Sequence, residues 1–152
     1  MAKKFYMETT QKSVPQTVAE IEDLFCRHRV TQVVKRFDED GEVTGVWFLW
    51  RHPAGDELPF ALPFRWEPIF NEFRARRKRT RGTDEKDEAQ ARRVAARQVL
   101  RWVEAQLALI DCEMAQFHEV FMPYLCNGTG EKTLFEHHDA RGWARALPEG
   151  RG

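Results

Sequence analysis

EVTGVWFLWRHPAGDELPFALPF, residues 42–64, decides the fold. Its first part, EVTGVWFLW, places β-branched and aromatic residues on both faces of an extended chain, which is the composition of a strand packed on two sides. His52-Pro53-Ala54-Gly55-Asp56 is a turn. In LPFALPF the side chains of Leu58, Phe60, Leu62 and Phe64 point one way, while Pro59, Ala61 and Pro63 take the alternate positions. Proline has no N–H to give to a ladder, so this strand belongs at a sheet edge.

Working outward, VTQVVKRF (30–37) alternates as a strand and reaches EVTGVWFLW through the turn Asp38-Glu39-Asp40-Gly41. Upstream, Thr17-Val18-Ala19-Glu20 has the form of a capping box. Val18, Ile21, Leu24, Phe25 and His28 share one face of a helix over about residues 17–29. Downstream, IFNEFRARRKR (69–79) is helical until Gly82 breaks it. A long helix follows, capped by Thr83 or Asp84 and acidic in its first turn. Its apolar stripe of Ala91, Ala95, Val99, Trp102, Leu107, Ile110, Met114 and Phe117 persists for about 27 residues. His118–Pro123 starts or breaks a further turn, Asn127–Gly130 is a turn, and TLFEHH (133–138) is expected as a last short strand. The fold class is therefore α+β: a small antiparallel sheet of three to four strands against an N-terminal helix and a long C-terminal helix. Residues 13–138 form a single domain, 1–12 a loose leader, and 139–152 a frayed tail.

The chain of 152 residues is 42% apolar and 32% charged, a composition of folded, soluble proteins. No run approaches the roughly 18–20 apolar residues of a membrane span, and no signal-type segment opens the sequence. Cys26, Cys112 and Cys126 are odd in number and far apart, which suits a reducing cytoplasm better than a disulfide framework.

Net charge is zero, but the charge is sorted. Twelve Lys and Arg face six acids between residues 65 and 101, while six acids face one lysine between 102 and 136. The densest stretch is RARRKRTRG (74–82), whose Arg74, Arg76, Arg77, Lys78, Arg79 and Arg81 include five arginines suited to bidentate phosphate contact. Arg93, Arg97 and Arg101 are spaced by four and fall within about 80° of arc, opposite the apolar stripe as drawn above. The two groups together are expected to form a cationic groove, with Trp66, and Trp47 or Trp50, as stacking surfaces for bases. The acidic region with Phe117, Phe121 and Tyr124 is the expected protein-contact side, and a second copy is its plainest partner.

Other chemistry is weakly signalled. Cys26-x-His28, Cys112-x5-His118 and Cys126-x10-His137 match no compact zinc spacing, and His137-His138-Asp139 is a minimal metal candidate. No GxSxG, P-loop, HExxH or GxGxxG occurs. The acids at 38–42 crowd a hairpin turn and are explained by it. No metal, cofactor, small-molecule substrate or membrane is expected.

SVPQTVAEIEDLF (13–25), ELPFALPFRW (57–66), VLRWVEAQLALIDCEM (99–114) and VFMPYL (120–125) together resemble small uncharacterised proteins of bacteriophages and prophages, over roughly residues 13–136. That resemblance implies a mobile-element setting, in DNA replication and recombination or in disarming a host defence, and brings no catalytic residues. The element order also looks like the double-stranded-RNA-binding domain and like the core of Rad52-type strand-annealing proteins, as architecture only. The expected function is a non-catalytic, oligomeric nucleic-acid-binding protein, single-stranded DNA ahead of duplex and RNA. The alternatives are a module that inhibits a host nuclease or defence complex, and a metal-dependent enzyme.

Overall fold

In a computed structural model, residues 4–76, 82–127 and 132–142 are described. The order is α1 (Val14–Cys26), β1 (Val30–Phe37), β2 (Val43–Arg51), β3 (Glu57–Pro63), α2 (Glu67–Arg76), α3 (Thr83–Asp111), α4 (Phe117–Phe121), a 3-10 turn (Met122–Tyr124) and α5 (Leu134–Arg141). The sheet is antiparallel with order β1-β2-β3, so the proline-bearing strand lies at an edge as its composition requires. None of the described helices is long and apolar enough to cross a membrane.

Alternation along β2 divides the sheet. Val46, Phe48 and Trp50, with Phe60 and Leu62 of β3, are buried on the side facing the helices, while Trp47 and Leu49 are half-buried on the other. Phe48 is the hub. Its ring lies 4.4 Å from Phe25 of α1, 5.4 Å from Phe60, and 5.7 Å and 6.1 Å from Phe121 and Phe117 of α4. Trp102 of α3 meets Phe121 edge-on at 5.4 Å, tying the long helix to the same cluster. Phe117 and Phe121 are thus core residues, which corrects their placement on an exposed acidic face.

Several boundaries differ from expectation. α1 begins at Val14 because Ser13 and Gln16 form the capping box and Pro15 sits in the first turn; Thr17 is buried inside the helix. TLFEHH is helical, because Thr133 and Glu136 cap α5 reciprocally. The sheet accordingly has three strands, with isolated bridges at Phe60–Leu125 and Cys126–Thr133. α3 stops at Asp111 although no glycine or proline ends it. Glu113 takes the left-handed conformation (φ 61°), its N–H donates to the Ile110 carbonyl, and the Met114 N–H donates to the Leu109 carbonyl. That is the Schellman closure with glutamate in glycine's place. Met114, expected on the apolar stripe, is 74% exposed as a result. Gly82, not Thr83 or Asp84, occupies the N-cap position of α3.

The leader is docked from Phe5 to Thr10. Gln90 donates to the carbonyls of Glu8 and Thr10 at 2.8 and 3.0 Å, Gln98 donates to that of Tyr6 at 2.8 Å, and Arg76 is ion-paired with Glu8. Phe5 packs on Phe73. Of the turn at Asn127–Gly130, residues 128–130 lie outside the described residues, as do 143–152 of the tail.

Gly45 lets β2 approach β3 closely: a Cβ there would sit 2.5 Å from the Leu62 carbonyl oxygen. Gly45→Ala forces the central strand away from its neighbour and should cost roughly 1–3 kcal/mol, read as a lower urea midpoint with unchanged m-value.

Candidate functional site

The described arginines of the expected groove are already engaged. Arg74 lies 3.4 Å from Asp84 with its guanidinium over Phe70, and Arg76 binds Glu8 and Glu72. The Glu8 hydrogen bond is the main reason that the Arg76 pKa is raised. Arg101 chelates Glu104 through two 2.9 Å hydrogen bonds, and Arg93 donates to Gln90. Arg97 is 4% exposed, bound to Glu20 and donating to the Thr17 hydroxyl at 3.1 Å. Its expected exposed position is corrected by the packing of α3 against both α1 and α2, which buries more of that helix than one stripe allows. Trp66 is half-buried with Arg92 4.1 Å above its ring, so that face is taken. Trp50 is buried and Trp47 half-buried. Arg77, Lys78, Arg79 and Arg81 lie outside the described residues. Among the described residues, no open groove brings the arginines together.

Arg92 shows what this charge does instead. It is 7% exposed, pairing with Asp38 of the β1–β2 turn at 2.9 Å and with Glu88 at 3.1 Å. Burial acts to lower its pKa, and the hydrogen bonds that its guanidinium donates to Glu88 and Asp38 outweigh that and raise it. A hollow of about 420 Å³ beside it is lined by Asp40, Glu42, Glu85 and Glu88 against Arg92 and Arg93, so its charges face one another.

A different place gathers histidines, aromatic rings and exposed arginines. At one end of the sheet a cleft of about 670 Å³ is lined by Arg27, His28 and Arg29 after α1, Trp50 at the end of β2 with His52 and Pro53 after it, and Glu113, Gln116, Phe117 and His118 around the start of α4. Three of the five histidines meet here. His28 is fixed through both ring nitrogens, Nδ1 at 2.7 Å from the Leu24 carbonyl and Nε2 at 2.8 Å from Asp111 Oδ1, which joins the ends of α1 and α3. His52 accepts at Nδ1 from the Ala54 N–H at 2.9 Å. His118 Nδ1 is buried with no hydrogen-bond partner. The rings form a continuous aromatic series. Phe117 stacks on Trp50 at 4.7 Å and 6°, His118 on Trp50 at 5.4 Å and 23°, and His52 meets His118 edge-on at 4.9 Å.

The rim is strained. Of the three described non-glycine residues in the left-handed region, two, Arg29 (φ 66°) and Glu113 (φ 61°), border this cleft. Each costs on the order of 1 kcal/mol, a cost that collects at functional sites. Arg27 and Arg29 are exposed, and neither makes an ion pair among the described residues. No group of three or more His, Cys, Asp or Glu among the described residues could hold a metal, and His137, His138 and Asp139 lie on α5. All three cysteines are free. The sequence concealed the cleft because its histidines come from three separate segments with no shared spacing.

No protein-family model, curated protein or solved structure matches the chain.

Two outcomes follow from these contacts. The Asp38 pKa is lowered from 3.8, first by the Glu42 N–H and also by Arg92. A depressed carboxyl contributes stability that is complete above its unfolded value and is lost as pH falls through the lower folded one. Stability should therefore decline below about pH 4 less steeply in Asp38→Asn than in the wild type, in acid-titrated urea melts. Glu113→Gly removes the left-handed strain and should stabilise the fold by about 0.5–1 kcal/mol in the same assay.

Proposed function

We propose that the protein binds nucleic acid by taking an unpaired base into the histidine cleft, with the flanking phosphates at Arg27 and Arg29. One observation carries this reading: the aromatic series Phe117–Trp50–His118–His52 ends in half-buried imidazoles beside two exposed guanidinium groups without carboxylate partners. A base presents a π-face to such a stack, and its phosphate an anion to such a rim. In a duplex both faces of a base are covered by its neighbours, so single strands are preferred. The reading requires no chemistry at the cleft. With the resemblance to phage-encoded proteins, it fits a role in annealing or protecting DNA strands.

The test is fluorescence anisotropy of a labelled single-stranded oligonucleotide, with duplex DNA and single-stranded RNA as separate arms, at several salt concentrations. Arg27→Ala with Arg29→Ala should weaken binding at least about ten-fold. It should also make the log–log salt slope about 1.4 shallower, the contribution of two phosphates on a single strand. His52→Ala should weaken binding with little change in slope, because stacking carries no counterion. Binding that ignores these variants but disappears on replacing Arg77, Lys78, Arg79 and Arg81 would assign it to the basic segment and refute the cleft.

A further inference from the structure

The hydrogen-bonding groups left over in the histidine cleft are mostly donors. The Ala54 N–H donates to His52 Nδ1, so the proton of that ring is on Nε2. His118 Nδ1 is buried without a partner, where a bare lone pair is better tolerated than an N–H, so its proton is also on Nε2. Among the described residues neither Nε2 is bonded or buried. His28 has no N–H to offer, since both its nitrogens already face acceptors. The Arg27 side chain makes no hydrogen bond among the described residues, and Arg29 uses only its Nε–H, on the Arg51 carbonyl at 3.0 Å. A ligand therefore meets two imidazole N–H groups and two guanidinium groups, and no imidazole lone pair that could take a proton from it.

The charge of the lining is one-sided. Both guanidinium groups come from residues 27–29, whereas the segment 113–118 contributes Glu113 and no lysine or arginine. A nucleotide inside a strand carries one phosphate on its 5′ side and another on its 3′ side, and the cleft has a cationic segment for only one of them. The last nucleotide of a strand needs no more than that. A phosphate within the chain has two free oxygens and a single charge, while a terminal phosphomonoester has three and close to two charges. Two guanidinium groups and two further N–H donors match the second. We propose that the cleft holds the terminal nucleotide of a single strand and grips its phosphomonoester through Arg27, Arg29 and the Nε2–H groups of His52 and His118. This rests on the base-binding reading above and narrows it from any phosphate of the strand to the one at its end.

One oligonucleotide, labelled at an internal base, is titrated in four forms: with a 5′-phosphate, with a 3′-phosphate, with hydroxyls at both ends, and ligated into a circle. One phosphorylated form should bind the wild-type protein at least about ten-fold tighter than the hydroxyl form. The circle, which has no end, should bind no tighter than the hydroxyl form. These comparisons need no variant. His52→Phe keeps a ring and removes the N–H, so it should leave binding of the hydroxyl form unchanged and reduce the preference for phosphate. Nitrogen NMR of the histidine rings should find the His52 and His118 protons on Nε2. A phosphorylated strand no tighter than the hydroxyl strand, a circle as tight as the best linear form, or a proton on Nδ1 of His52 would each overturn the proposal. If all forms bind alike and Arg27→Ala with Arg29→Ala still weakens every one, the base-binding reading stands and the terminal phosphate falls. If that double variant changes nothing, both fall.

Discussion

The structure depends on covering one face of β2. Phe48 is fully buried at the centre of that face, and Phe25, Phe60, Phe117 and Phe121 are held against it from α1, β3 and α4. Each such ring is worth about 1.5–3 kcal/mol in buried apolar surface, so this cluster is a large share of what holds sheet and helices together. It also explains α4. Five residues cannot sustain a helix alone, and this one exists because Phe117 and Phe121, one turn apart, both insert beneath the sheet. The histidine cleft is a by-product of the same packing. Phe117 faces the core, and its neighbour His118 emerges at the edge beside Trp50 and His52.

The two buried arginines, Arg92 and Arg97, have a structural job. Arg92 fastens α3 to the β1–β2 turn through Asp38 and lies on Trp66, while Arg97 fastens α3 to α1 through Glu20 and Thr17. A guanidinium suits these places because its flat apolar faces pack on rings and methylenes while its edge meets a carboxylate. Counting basic residues along the sequence therefore overstates how much positive charge the described residues present.

How much could be read beforehand follows from the range of each interaction. The strands, their turns and the edge position of β3 are set by alternation and proline, which act within a few residues, and these were legible. α3 was legible in outline, but its end was not, because Glu113 does there what a glycine normally announces. α5 reads as a strand because eight residues with two histidines carry little periodicity, and the pair that decides it, Thr133 and Glu136, is a capping signal only once the segment is helical. The burial of Arg97 could not be seen, since a one-dimensional stripe does not reveal that α1 and α2 both cover the helix. The cleft was equally hidden: residues 27–29, 50–53 and 113–118 converge only once the sheet and α4 are in place.

The docked segment Phe5–Thr10 has a consequence for biosynthesis. Its anchors Arg76, Gln90 and Gln98 lie 68 to 92 residues further along the chain. At about 5–20 residues per second, the ribosome leaves this segment without its binding surface for several seconds. The hairpins of the sheet close between near neighbours and need not wait. Emerging ahead of its anchors, the segment is among the later pieces to settle. A chaperone or protease that acts on nascent chains meets Phe5, packed on Phe73 in the folded protein, uncovered during that interval.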